Sequence, residues 1–296
     1  MDYEISLLTT MGIAILFALS LNLIAGFCGQ ISLGHAAFLG IGAYTTSLLA
    51  KAGMPIFATL PIAMFVSGCI GVVVGLASLR VRADFLAITT MGVGFLFVGI
   101  VRQQEWLGGE MGIAAIPESG VSKPVFMTIV LALCLAVAAL SFYIRRAWMG
   151  RVFSGIAEDE DTMRVLGIDV PRYKLVAFAI GTALAGLAGG LYAANLGFIS
   201  VDSFGFVDSV TVLSMVVVGG IGSVAGVTLA AAVLSVLPAW FDFIGDYKLL
   251  VYGGLLFLMM RFAPGGMAAI ATRVFRTGGA SRKSTTPATV KGGQQA

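Results

Sequence analysis

The chain has 296 residues, of which 58% are hydrophobic and 11% charged, and its net charge is +3. A soluble protein carries about 25% charged residues. This composition, with a mean hydropathy of +0.99, therefore excludes a water-soluble globular domain and sends the surplus apolar area to lipid or to other membrane proteins; the small positive balance gives no footing for nucleic acid.

Met1 to Glu4 carry two acids and no base, unlike the basic start of a signal peptide, so the first apolar stretch is expected to be a retained transmembrane helix. Runs free of Asp, Glu, Lys and Arg then follow at Ile5–Ala50, Ala52–Leu79, Phe85–Val101, Pro124–Ile144, Leu175–Val201, Ser209–Phe241 and Leu249–Met260. A bilayer needs about 20 helical residues per crossing. The first and sixth runs exceed that, and each has a glycine cluster near its middle, Gly26–Gly34 and Gly219–Gly226.

Splitting the runs there predicts an all-α, polytopic membrane helix bundle of about nine crossings, over 5–25, 31–50, 56–78, 84–101, 124–144, 175–196, 209–223, 226–241 and 248–262. Segment 209–223 reaches only about 22 Å at 1.5 Å per residue. It reads as glycine-broken or re-entrant, which a membrane tolerates only where protein or a water-filled cavity satisfies the freed backbone. The 39 glycines suit close helix contacts. Residues 1–276 form one transmembrane domain in this reading, and 277–296, rich in Gly, Ser, Thr, Lys and Gln, form a disordered cytoplasmic tail.

With the N-terminus outside, 14 of the 18 basic residues fall in inner segments: the 79–84 loop, the 145–174 loop and the stretch from 261. Only Lys51, Arg102, Lys123 and Lys248 remain outside. This asymmetry predicts an outer N-terminus and a cytoplasmic C-terminus.

The largest inner loop runs from Gly150 to Lys174 and contains the acids Glu158 to Asp161. Ser154 is expected to cap one short helix, with the acids in its first turns, where the helix dipole favours them. Val152, Ile156, Met163 and Leu166 fall at near-helical spacing and form one apolar stripe. Gly167 is expected to end the helix and Pro171 to prevent its restart. Such a helix suits docking into a partner's groove or packing on the membrane or its own domain.

The intramembrane polar residues are the candidates for a solute pathway: Asn22, Gln30, Ser32, His35, Thr89 and Asn195. His35, the sole histidine, can equally hold a bend through a hydrogen bond. Gly34, Gly219, Gly220 and Gly222 are read as structural hairpin glycines. Cys28, Cys69 and Cys134 lie in apolar stretches with no CxxC spacing, so no metal site is expected.

Several blocks carry a family resemblance. The loop's Ala157-Glu158 start and its Gly167-Ile168-x-x-Pro171 finish resemble the cytoplasmic coupling loop of binding-protein-dependent ABC permeases. Leu21–Tyr44, with LNL and GQISLGHAAF, resembles the signature of the branched-chain amino acid permeases; Val216–Gly226, VVVGGIGSVAG, resembles their glycine hairpin; and Leu79–Thr90 is similar to the LivM-type member of the permease pair. Glu110 and Met111 depart from the family's Gly-Gly-Pro-x-Gly pattern in an outer loop, and Ala83 stands where glycine is usual.

The resemblance implies a permease subunit in the bacterial inner membrane, forming half the translocation pathway of an importer for branched-chain or other neutral amino acids. Urea or short-chain amides are the alternative cargo. Implied partners are a second related permease chain, two ABC ATPase subunits and an external solute-binding protein. In that family the coupling loop docks on the ATPase, which assigns Ile156, Ala157, Glu158, Met163, Leu166, Gly167, Ile168 and Pro171 to coupling. The sequence has no G-x-x-x-x-G-K-[ST], so no ATP site of that kind is expected in this chain; ATP binds to the partners, and the chain is no enzyme. A self-sufficient secondary carrier or channel is the alternative of another class, against which the charge-free helices count.

Overall fold

A computed structural model describes residues 2–78, 86–117, 120–240, 247–262 and 265–267. Every regular element among them is helical, and the one β contact is an isolated antiparallel bridge between Ile113 and Ile199. The helices are α1 (Asp2–Leu21), continued by a π-helical turn at Asn22–Phe27, α2 (His35–Lys51), α3 (Ile56–Ser78), α4 (Leu86–Gln103), α5 (Lys123–Arg146), α6 (Trp148–Glu158), α7 (Glu160–Val165), α8 (Val170–Leu196), α9 (Phe206–Gly219), α10 (Val224–Trp240) and α11 (Lys248–Phe262).

Each of the nine expected segments contains a helix. Five are long and apolar enough to cross a bilayer: α1 with its π turn, α3, α4, α5 and α8. Helices α9, α10 and α11 are apolar but shorter. The basic residues of the 79–84 loop, the end of the eighth segment and the expected tail lie outside the described residues.

α1 and α8 are mostly buried, whereas only a minority of the residues of α3, α4 and α5 are buried. The central packing is of backbone against backbone, which only small residues allow. α3 runs antiparallel to α8, with Gly68 facing Ala183, Gly71 facing Thr182 and Gly75 facing Leu175. α2 lies against the same helix: Gly42 abuts Gly186, and Gly189 abuts the Leu39 carbonyl. Ser67 of α3 ties the three together by donating to the carbonyls of Phe38 (3.1 Å) and Thr182 (2.8 Å).

α8 starts at Val170, five residues before the expected span, and this corrects the reading of Pro171 as a barrier. Pro171 sits in the first turn, where a missing N–H costs nothing and its fixed φ favours helix. Asp169 caps that turn, accepting from the Arg172 amide at 3.3 Å.

Candidate functional site

The break between α1 and α2 is a built structure. After the π turn, Gly29 adopts a left-handed φ of +70° and the chain turns back to begin α2 at His35. The π turn rests on the corner between α9 and α10. There Gly222 (φ +80°) donates its N–H to Asn22 Oδ1 at 2.9 Å, and a β-carbon on Gly26 would lie 2.6 Å from the Gly222 nitrogen. The two glycine clusters of the sequence therefore meet in space. Gly219 abuts the backbone of Gly226 and Val227, and Gly220 (φ +103°) is approached by Gly266. Gly34 lies against the Thr90 carbonyl of α4, leaving no room for a side chain.

Most pathway candidates serve this break. Asn22 is fully buried and braces the corner. His35 is fully buried, hydrogen bonds through Nε2 to Ser20 Oγ at 2.8 Å, and stacks on Phe17 at 5.3 Å between ring centroids. The hydroxyl of Thr90, beside half-buried Thr89, accepts the Leu33 N–H at 3.1 Å. The Ala36 N–H donates to Ser209 Oγ at 3.0 Å. Gln30 is buried and its Nε2 donates to the Lys174 carbonyl at 3.1 Å. Ser32 is fully buried, and its Oγ has no hydrogen-bond partner among the described residues.

A cleft of about 400 Å³ opens between α1, α2, α8 and α9, lined by Thr10, Phe17, Leu39, Tyr192, Asp202 and Asp208 among others. Carboxylates, hydroxyls and apolar side chains share its wall. Of the six pathway candidates none lines this cleft; Asn195 lines a smaller one beside the start of α1, and its Nδ2 donates at 3.4 Å to the Oγ1 of Thr10, which does line the larger cleft. Sequence reading passed over Asp202 and Asp208. The available signal was an acid in the first turn of an otherwise charge-free apolar helix, as at Asp208. Asp202 pairs with Arg102 of α4 at 2.8 Å. The nearby loops are strapped by the Ile113–Ile199 bridge and by the Ile116 N–H donating to the Gly197 carbonyl at 3.1 Å.

At the far end of the bundle, the expected single helix of the 150–174 loop is two, and Ser154 lies within the first rather than at its cap. The chain is extended at Asp159, whose carboxylate accepts from the amides of Asp161 (2.9 Å) and Thr162 (3.2 Å) and from the Thr162 hydroxyl (2.6 Å). The Thr162 hydroxyl, then its amide, hold the Asp159 carboxyl below the usual carboxylate range. Gly167 ends α7 in a left-handed conformation (φ +80°). The Ile168 N–H closes onto the Met163 carbonyl and the Gly167 N–H onto that of Arg164, a glycine-terminated helix end in which Met163 and Ile168 are both half-buried.

The break splits the stripe. Val152, Phe153 and Ile156 of α6 enter the chain's own core, with Ile156 2% exposed, so Ile156 is not part of an outward-facing stripe. Met163 covers Gly155. Val165 (88%) and Leu166 (69%) point outward. Ala157, next to exposed Glu158, touches Gly29, where a β-carbon would lie 3.1 Å from the Ala157 Cα. Glu160 pairs with Lys174, and Arg164 pairs with both Glu160 (3.2 Å) and Asp161 (2.7 Å).

The family model for the permease component of branched-chain amino acid transport systems matches residues 4–260. The chain is 37% identical to the high-affinity branched-chain amino acid transport system permease protein LivM of Salmonella typhimurium, over 89% of this chain and 69% of that one. It is 36% identical to LivM of Escherichia coli, over 86% and 67%. BraD of Pseudomonas aeruginosa, also named a permease protein of such a system, is 36% identical over 45% of this chain and 44% of its own. No solved structure matches the chain. These relatives are transport permease components rather than enzymes, and the family with the apolar helices makes this a multi-pass membrane protein. The chain, matched from end to end of its helical bundle, belongs to the family of permease components of branched-chain amino acid transport systems.

Proposed function

We propose that this chain is the LivM-type permease subunit of an ATP-driven importer for branched-chain amino acids, forming one half of the pathway across a bacterial cytoplasmic membrane. The single observation that carries the reading is the match to that family over residues 4–260. The second half is a related permease chain; similarity to LivH of Salmonella typhimurium, 34% over 45% of this chain, supports a partner of the same build. The nine alternating segments and the placement of 14 of 18 basic residues support an outer N-terminus and a cytoplasmic C-terminus.

Two ABC ATPases bind the nucleotide, and an external solute-binding protein delivers the cargo. Residues 1–276 form the permease domain and 277–296 its cytoplasmic tail. α7 receives the ATPase through Val165 and Leu166, with Met163, Gly167 and Ile168 shaping its end, while Ile156 and Ala157 anchor α6 behind it. The cleft beside α9 is the candidate route for solute, its apolar wall suited to a branched side chain and its polar groups to the charged ends.

Reconstitution of this chain with its partners in proteoliposomes tests the reading. Leucine uptake should require ATP, both ATPases and the binding protein. Uptake by this chain alone would overturn it in favour of a self-sufficient carrier, and uptake of urea or acetamide with leucine excluded would reassign the cargo.

A further inference from the structure

The start of α8 and, from far upstream, the turn at Gly29–Gln30 converge behind α7. The Glu160 carboxylate takes the ammonium of Lys174 as its partner across 14 residues. The Lys174 side chain is 9% exposed and that of Glu160 25%, so this is a sheltered pair, unlike the exposed Arg164–Asp161 and Arg172–Asp169 pairs around it. The carbonyl of the same Lys174 accepts the Gln30 amide at 3.1 Å. Gln30 in turn closes the π turn, its N–H donating to the Ile24 carbonyl at 3.2 Å. Beside it Ala157 presses on Gly29.

From these contacts we infer that Glu160, Lys174 and Gln30 are positioning residues that carry displacement of α7 into the broken α1–α2 segment. The inference rests on the docking role proposed for α7. α7 itself buries no residue, so it has little packing of its own through which to push. α6 is tied into the core by Val152, Phe153 and Ile156. The ion pair makes α7 move with the start of α8 at Lys174, and the amide bond makes the π turn follow it. The π turn holds Asn22, and through it the α9–α10 corner at Gly222, so a shift at α7 reaches helices that line the cleft. Coupling of this kind runs through contiguous hydrogen-bonded and packed groups. The ion pair is what ties α7 to α8, because without Lys174 the Glu160 carboxylate keeps only Arg164 of its own helix as a partner.

The experiment uses the complete importer in proteoliposomes and reads leucine transported per ATP hydrolysed. A cysteine at position 165, cross-linked to the ATPase, reports docking separately. Lys174→Met and Gln30→Leu should keep the cross-link and the ATPase activity while the ratio falls about tenfold, within the span typical of coupling between sites. Lys174→Arg should restore the ratio to near that of the parent, which a purely structural loss would not allow. An unchanged ratio in both Lys174→Met and Gln30→Leu with the cross-link intact would overturn the relay, as would a Lys174→Arg variant no better than Lys174→Met. Absence of the cross-link in the parent complex would instead overturn the docking role of α7, and the relay with it.

Discussion

α6 and α7 come from one short stretch of sequence and sit at one end of the bundle, yet they are held in opposite ways. α6 belongs to the interior: Phe153 is fully buried, its ring meets that of Tyr173 in a T-shaped arrangement with centroids 6.3 Å apart, and Ala157 reaches Gly29 at the turn of the broken α1–α2 segment. α7 stands on a capping carboxylate, a terminal glycine and ion pairs. In the docking role proposed for α7, a moving partner needs a contact that can yield without unfolding the bundle, and a bundle needs that contact anchored. One loop supplies both by breaking its helix at Asp159.

The contrast can be broken first at its rigid side. Phe153→Ala should cost about 3–5 kcal/mol, the usual range for a fully buried aromatic, seen as a lower thermal midpoint in detergent and lost membrane abundance. A midpoint within error of the parent would mean that α6 is no anchor. Gly222→Leu is the next largest. Its left-handed backbone strains any side chain by about 1–2 kcal/mol, and the β-carbon would lie 2.9 Å from the Gly26 carbonyl oxygen. Gly253→Leu, where nothing lies within 4 Å, is the matched control. Equal loss of transport in both would show that the corner is ordinary packing.

On the yielding side, Val165→Ser with Leu166→Ser should leave folding within about 0.5 kcal/mol of the parent, as exposed substitutions do. Recovery of the ATPase in pull-downs should still fall about tenfold, since truncating interface anchors costs more than ~1 kcal/mol. Normal recovery would place the contact elsewhere.

The smallest effect is a pH dependence. The Asp159 carboxyl is held below its ordinary range in the folded chain, so its ionised form supports α7 fully above about pH 4. That support fades as pH falls through the lowered value. Amide exchange at Asp161 and Thr162, corrected for intrinsic rates, should rise on acidification in the parent, and Asp159→Ala should show the fast exchange at neutral pH as well. Identical protection in parent and variant would remove the cap from the account.

Much of this was legible because charge is costly in lipid: seven charge-free runs mark out nine of the eleven α-helices among the described residues, five of them long enough to cross a bilayer, and the two overlong runs break at glycines. The loop was harder to read. An acid that caps a helix and an acid within its first turn look alike in sequence, so Asp159 passed as a helical residue. Once the helix breaks there, periodicity no longer carries over, and the stripe linking Ile156 to Leu166 dissolves. Pro171 was misread for a related reason, since proline halts a helix in its interior but opens one at its first turn. The candidate polar residues were sound markers of the break and poor markers of the cleft. Burial in a charge-free run cannot distinguish a side chain that braces backbone, as Asn22 does, from one that faces an opening, and helix-start acids such as Asp208 drew no notice.

The burial of α2 bears on how the chain is made. Twelve of its 17 residues are buried, and Gly186 and Gly189, from far downstream, abut its backbone at Gly42 and Leu39. During synthesis at roughly 5–20 residues per second, α2 leaves the ribosome well before α8 exists. For roughly 7 to 30 seconds at that pace it must wait in the membrane or the insertion machinery without α8 against its small-residue faces. Biogenesis of this permease thus hinges on a late event, the arrival of α8, and a nascent chain halted before position 186 would hold its central helix against α3 but not α8, with its glycine face open to quality-control proteases.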